Sequence, residues 1–153
     1  RRLESPMKQT LFLGSDHAGV HLKTSIAQHL TDRGFTVQDL GPATTESCDY
    51  PVFAKKVCQA VLAEDGLGIL ICGTGIGMSM TANKVPGIRA ALCTNEYLAR
   101  MTRLHNNANI LCLGERVLGP GLTLSIIDTF VDTAFEGGRH QRRIDLMEAP
   151  LSE

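Results

Sequence analysis

No apolar stretch in this sequence approaches the roughly 20 residues that a helix needs to cross a bilayer. The longest, Leu67 to Cys72 and Ile88 to Cys93, are far shorter, so no membrane span is expected. An excess of charge is missing too: 15 Lys and Arg stand against 16 Asp and Glu, a formal net charge of −1. Such a chain has no general field to draw in nucleic acid or an anionic membrane, and any anion it binds must meet a local cluster, which points to a small anionic ligand. The five cysteines, Cys48, Cys58, Cys72, Cys93 and Cys112, are odd in number and include no C-x-x-C pair. No apolar signal region follows Met7, and a reducing cytoplasm is the expected setting. Internal repeats and low-complexity tracts are absent. Arg1 to Pro6 precede the first methionine and read as the remnant of a tag or vector, with a native start at Met7. Residues 7–148 then read as a single domain and 149–153 as a short tail.

What is present is an ordinary globular composition, 43% hydrophobic and 20% charged, in a chain of 153 residues. Five short apolar runs, Leu11 to Leu13, Phe35 to Leu40, Gly68 to Cys72, Ile88 to Cys93 and Ile110 to Leu113, read as buried parallel strands. Segments with helical spacing lie between and after them: Leu22, Ile26 and Leu30; Phe53, Val57 and Val61; Leu122, Ile126 and Phe130. Gly34 falls where the first helix should stop, and Pro51 near the start of the next. This alternation predicts an α/β fold, a doubly wound (Rossmann-like) three-layer sandwich around a parallel sheet of about five strands. Beyond Gly137-Gly138, Arg139 to Glu148 form a further helix or arm at the C-terminus. Ligands are expected at the strands' carboxyl ends.

Four clusters carry chemistry. Gly14-Ser15-Asp16-His17-Ala18-Gly19 joins the first strand to the first helix. It resembles a P-loop in glycine spacing, but Val20 and His21 stand where that motif needs Lys and Ser or Thr, which excludes a nucleotide triphosphatase. Ile69-Leu70-Ile71-Cys72-Gly73-Thr74-Gly75-Ile76-Gly77 is a strand entering a glycine turn whose N–H groups can hold a developing oxyanion or a phosphate. A free thiol ionises near pH 8.5, and positive dipoles at a helix start can lower that, so Cys72 is either a base or nucleophile, or a small buried hydrophobe as expected for Cys93 and Cys112. The turn lacks the third glycine of a dinucleotide fingerprint, having Met78 there, which weighs against a nicotinamide enzyme. His105-Asn106 closes a helix that begins at Asn95. It offers either a general acid or only a cap. Arg139, His140, Arg142 and Arg143 form either a phosphate grip, with Arg139 and Arg143 four apart on one helix face, or a solvated tail; Arg116 could join either.

Ser15 to Gly19, Asp49-Tyr50-Pro51, Cys72 to Gly77, Asn83-Lys84, His105-Asn106-Asn107 and Glu136-Gly137-Gly138-Arg139-His140 together resemble the ribose-5-phosphate isomerase B and galactose-6-phosphate isomerase family. The likeness spans nearly all of Met7 to Met147. It implies a cofactor-free, metal-free aldose-ketose isomerase acting on a phosphorylated sugar. It also implies a dimer or tetramer with active sites shared between subunits and the C-terminal arm reaching across. Carried over, the resemblance puts the proton-abstracting base at Cys72 and the ring-opening acid or base at His105. Asp16 supports the sugar, and Thr74 joins the catalytic loop. Phosphate contacts fall on His17, Arg116, Arg139 and Arg143, and sugar contacts on Asp16, on Gly73, Thr74, Gly75, Ile76 and Gly77, and on Asn106. Some members replace the cysteine and use a glutamate later in the loop; here Ile76 stands there and Cys72 to Met80 hold no carboxylate. Ribose 5-phosphate is the expected substrate, with a hexose phosphate, a nicotinamide enzyme and a non-catalytic sugar-phosphate binder as the other readings.

Overall fold

The computed structural model describes residues 9–152; the expected remnant and start at Met7 lie outside the described residues. In chain order the elements are β1 (Leu11–Ser15), a 3-10 turn (His17–Gly19), α1 (Val20–Asp32), β2 (Val37–Asp39), α2 (Tyr50–Glu64), β3 (Leu67–Cys72), α3 (Ile76–Ala82), β4 (Ala90–Leu92), α4 (Glu96–Asn106), β5 (Ile110–Gly114), α5 (Pro120–Asp132) and α6 (Arg139–Glu148). The five strands form one sheet in the order β2-β1-β3-β5-β4. Every pairing is parallel.

Alternate residues of the strands enter two different cores, as the two-residue period of a strand requires. Leu11, Leu13, Ile69, Ile71, Leu111 and Leu113 meet Leu22, Ile26 and Leu30 of α1, Ala99 of α4, and Ile126, Ile127 and Phe130 of α5. Phe12, Leu70, Cys72, Ile110 and Cys112 meet Ala54, Val57, Cys58 and Val61 of α2, and Met78 and Ala82 of α3. The doubly wound three-layer sandwich expected from the sequence is therefore present. Among the described residues, no helix is long and apolar enough to cross a membrane.

Two expected strands are shorter than their apolar runs. Phe35 to Leu40 contributes only Val37–Asp39, and Ile88 to Cys93 only Ala90–Leu92. Both lie at the sheet's edges, where a strand has one neighbour to hold it extended. The N–H of Ile88 is instead spent in a turn, donated to the carbonyl of Val85 at 3.1 Å. Helix ends follow the expected chemistry: Asn95 accepts from the N–H of Leu98 at 2.9 Å to cap α4, and Gly34, with φ +87°, turns the chain out of α1.

Strand order decides where a site can form. From β1 the chain moves outward to β2 on one side and returns to β3 on the other, so the carboxyl ends of β1 and β3 flank the point where the winding reverses. Ser15 pairs with Ile71 at that edge, and Cys72 pairs with Gly114 of β5.

Candidate active site

Three adjacent strands deliver their carboxyl ends to one place. After β1, the N–H of Asp16 donates to the carbonyl of Ile71 at 3.1 Å, which sets Asp16 beside the residue preceding Cys72. Its carboxylate accepts from the N–H of Ala18 at 2.9 Å and caps the 3-10 turn. His17 follows, and its Nδ1 accepts the N–H of Cys48 at 3.3 Å. A ring nitrogen that accepts must carry the lone pair, so the proton sits on Nε2, which makes that edge a hydrogen-bond donor. After β5, the N–H groups of Glu115 and Arg116 donate to the carbonyls of Cys72 and Gly73 at 2.9 and 3.1 Å. The Arg116 side chain lies over Gly73: a Cβ built there would stand 3.4 Å from its Nη1.

Between them, β3 ends at Cys72 and enters the glycine turn. The Gly75 N–H donates to the Cys72 Sγ at 3.0 Å, a contact that stabilises charge on the sulfur. Gly75 has φ +82°, and a Cβ there would fall 2.6 Å from Leu92 and 2.9 Å from the backbone of Leu113. Both the backbone conformation and the space therefore call for glycine. Gly75→Ala is expected to destabilise the fold by about 2–4 kcal/mol, read as a lower denaturant midpoint with an unchanged slope, because strain and overpacking add. Thr74 is exposed, and its hydroxyl accepts from the Ile76 N–H at 3.2 Å. Against Gly77 lies the ring of Tyr50, 2.6 Å from a Cβ placed there. Three other thiols are more deeply buried. Burial pushes Cys58 and Cys93 up to about 11 and Cys112 well above its ordinary range, so all three remain protonated at neutral pH.

The other expected residues lie elsewhere. Helix α4 starts after β4 at the carboxyl edge and runs back, so His105 and Asn106 arrive at the amino edge of the sheet. Asn106 there accepts from Nε of Arg89, just before β4, at 2.9 Å, and Asn109 accepts from the N–H of Gly68 in the first turn of β3 at 2.8 Å. Glu136 ties the next segment to this end through its N–H to the Leu104 carbonyl, 3.1 Å. Glu148 at the far end of α6 pairs with Arg89 at 2.8 Å. Arg139 and Arg143, both exposed, ride on this same helix. The candidate residues thus fall into two groups at opposite edges of the sheet, separated by roughly the 17–20 Å length of a strand. The carboxyl-edge half holds Asp16, His17, Cys72 to Gly77 and Arg116. The amino-edge half holds His105, Asn106, Arg139 and Arg143.

Glu136 and His140, present in the sequence motifs without a role of their own, meet His105 here. The His105 and His140 rings stack with centroids 4.2 Å apart and 15° between planes. Glu136 Oε2 lies 3.5 Å from His105 Nε2 and 3.6 Å from His140 Nε2. The donor atoms of these three residues fall within 4.8 Å of one another. A metal sits close to the plane of each imidazole it binds. Two nearly parallel rings cannot both meet that condition, so the cluster suits a shared proton better than an ion. The spacing from Glu136 to His140 was readable, but their meeting with His105 depends on α6 folding back against α4.

The sequence profile of the Ribose/Galactose Isomerase family matches residues 11–147. The chain belongs to that family. Ribose-5-phosphate isomerase B of Escherichia coli (strain K12) is 46% identical over 145 residues, covering 94% of this chain and 96% of that protein. The solved structure of Clostridium thermocellum ribose-5-phosphate isomerase B is 54% identical, with a TM-score of 0.89 over 91% of this chain and 95% of the other. Another, ribose-5-phosphate isomerase B from Mycoplasma genitalium with bound ribulose-5-phosphate, is 48% identical with a TM-score of 0.88, covering 93% and 95%. Within this isomerase family, the fold expected from the glycine turn and strand pattern is the one these relatives share.

Proposed function

We propose that this chain is an aldose-ketose isomerase that interconverts ribose 5-phosphate and ribulose 5-phosphate, working as a dimer or tetramer in which each active site joins the carboxyl-edge half of one copy to the amino-edge half of another. The single observation that carries this reading is Cys72, at the end of a central strand beside the winding reversal, with a glycine N–H directed at its sulfur. The distance between the two half-sites supports the oligomer, since base and ring-opening group cannot serve one small sugar from within one chain.

In the proposed reaction the phosphate rests on His17 and Arg116 of one copy and on Arg139 and Arg143 of the next, guanidinium forks being well matched to phosphate oxygens. Asp16 and Asn106 hold sugar hydroxyls. His105 donates a proton to the ring oxygen while the anomeric hydroxyl loses its own, which solvent water relays back to the imidazole, and the ring opens to the aldehyde. The Cys72 thiolate takes the proton from C2, and the bonding pair moves into a cis-enediolate whose oxygen charge is met by the N–H groups of Gly73 to Gly77 with Thr74 beside them. The same thiol returns its proton to C1 while the O2 hydroxyl proton passes to O1, and the ketose results. A base that is a free thiol suits the reducing cytoplasm.

Mixing the purified protein with ribose 5-phosphate and following the ketose carbonyl by absorbance tests this directly. Allose 6-phosphate and galactose 6-phosphate run beside it decide between pentose and hexose phosphate. Rapid equilibration of the pentose is the expected result; no ketose from any of the three overturns the isomerase reading. Removing both arginines, Arg139→Ala with Arg143→Ala, is expected to raise KM by about 10- to 100-fold with a smaller change in kcat, because they bind a group remote from the reacting carbons. An unchanged KM would make them surface charges.

A further inference from the structure

We infer that Glu136 and His140 are positioning residues for His105, holding its imidazole as a proton donor with a carboxylate at its Nε2 edge and a second imidazole against its face. The inference rests on the reading of His105 as the ring-opening group. The His140 side chain is 7% exposed, while those of His105 and Glu136 are 39% and 52% exposed. The His140 Nε2 has no hydrogen-bond partner among the described residues. A buried polar atom left so is unusual and calls for a reason. Here the reason is its place: the atom faces the same carboxylate oxygen as His105, and its ring forms the floor on which His105 lies.

Charge decides which ring takes the proton. Two stacked imidazolium ions repel, whereas a cation over a neutral ring is attracted. Burial, then His105 and the guanidinium groups of Arg139 and Arg143, hold His140 below its ordinary value, with Glu136 opposing them. The other cations near this corner are engaged: Arg103 of α4 donates to the carbonyls of Thr133 and Ala108, and Arg89 to those of Asn106 and Asn107 and to Glu148. The buried ring of His140 is thus the poorer place for a proton, and Glu136 is the carboxylate beside the more exposed His105. Gly137 and Gly138, with φ +73° and +59°, turn the chain sharply enough to bring Glu136 and His140 to the end of α4.

The test compares kcat, KM and the pH profile of the aldose-to-ketose reaction for wild type, Glu136→Gln, His140→Ala, His140→Phe and His105→Asn. Glu136→Gln is expected to lower kcat by about tenfold with KM within twofold. Its alkaline limb should move to lower pH, since the protonated ring has lost its neighbouring anion. His140→Ala should lose a similar amount of kcat, and His140→Phe, which keeps a ring to stack on, should recover part of it. Glu136 is half exposed, so if His140→Ala fails to fold, Glu136→Gln decides. Should His105→Asn be impaired while Glu136→Gln keeps both wild-type kcat and its pH profile, the inference is overturned alone. Should His105→Asn turn over like wild type, the reading of His105 falls and the inference with it.

Discussion

Cys72→Ala is expected to lower kcat by about 10³-fold and leave KM within a few-fold. Proton transfer by a placed base contributes about 10² to 10⁴ in rate, and the loop offers no substitute: Gly73 to Met80 contain no carboxylate, imidazole or amine. The effect should fall on kcat because the sulfur touches a proton in transit, whereas the phosphate contacts that hold the substrate lie on other side chains. Cys72→Ser should recover little, a hydroxyl at neutral pH being a far weaker base than a thiolate. The change is small enough to leave the fold intact, because Cys72 belongs to the α2–α3 core only through its Cβ and sulfur and remains 5% exposed. A variant that kept a tenth or more of wild-type kcat would remove the cysteine from the mechanism.

Much of this was legible in the residues themselves. Continuous apolar runs at Leu11 to Leu13, Gly68 to Cys72 and Ile110 to Leu113 became the three central strands, because helices cover both faces of the parallel sheet there. Edge strands β2 and β4 were read too long, since half of each run contributes to turns and helix covers. The glycine turn was legible because Gly75 is required by its backbone angle and its lack of space, and such requirements are visible as a glycine in sequence. The partition of the site was not. His105 and Cys72 are 33 positions apart, and nothing in composition or spacing says that α4 carries one to the edge opposite the other. Only strand order and helix direction do so. The meeting of His140 and Glu136 with His105 was hidden for the same reason, since a fold-back of α6 makes it. His17 was expected as a phosphate contact; the N–H of Cys48 that sets its tautomer comes from a loop whose path is invisible in sequence.

The account depends most on two half-sites meeting between copies, and subunit mixing tests that most directly. His105→Asn alone is expected to lower turnover of the closed aldose by about 10²-fold. Cys72→Ala is defective in the other half. If the two inactive proteins are unfolded and refolded together in equal amounts, half of the dimers carry one of each chain. Each such dimer has one site with both defects and one with neither, so activity should return to about a quarter of wild type. Recovery near that level, with neither variant active when refolded alone, is the result the account predicts. A mixture no more active than its two parents would show that each site is built within a single chain, and would contradict it.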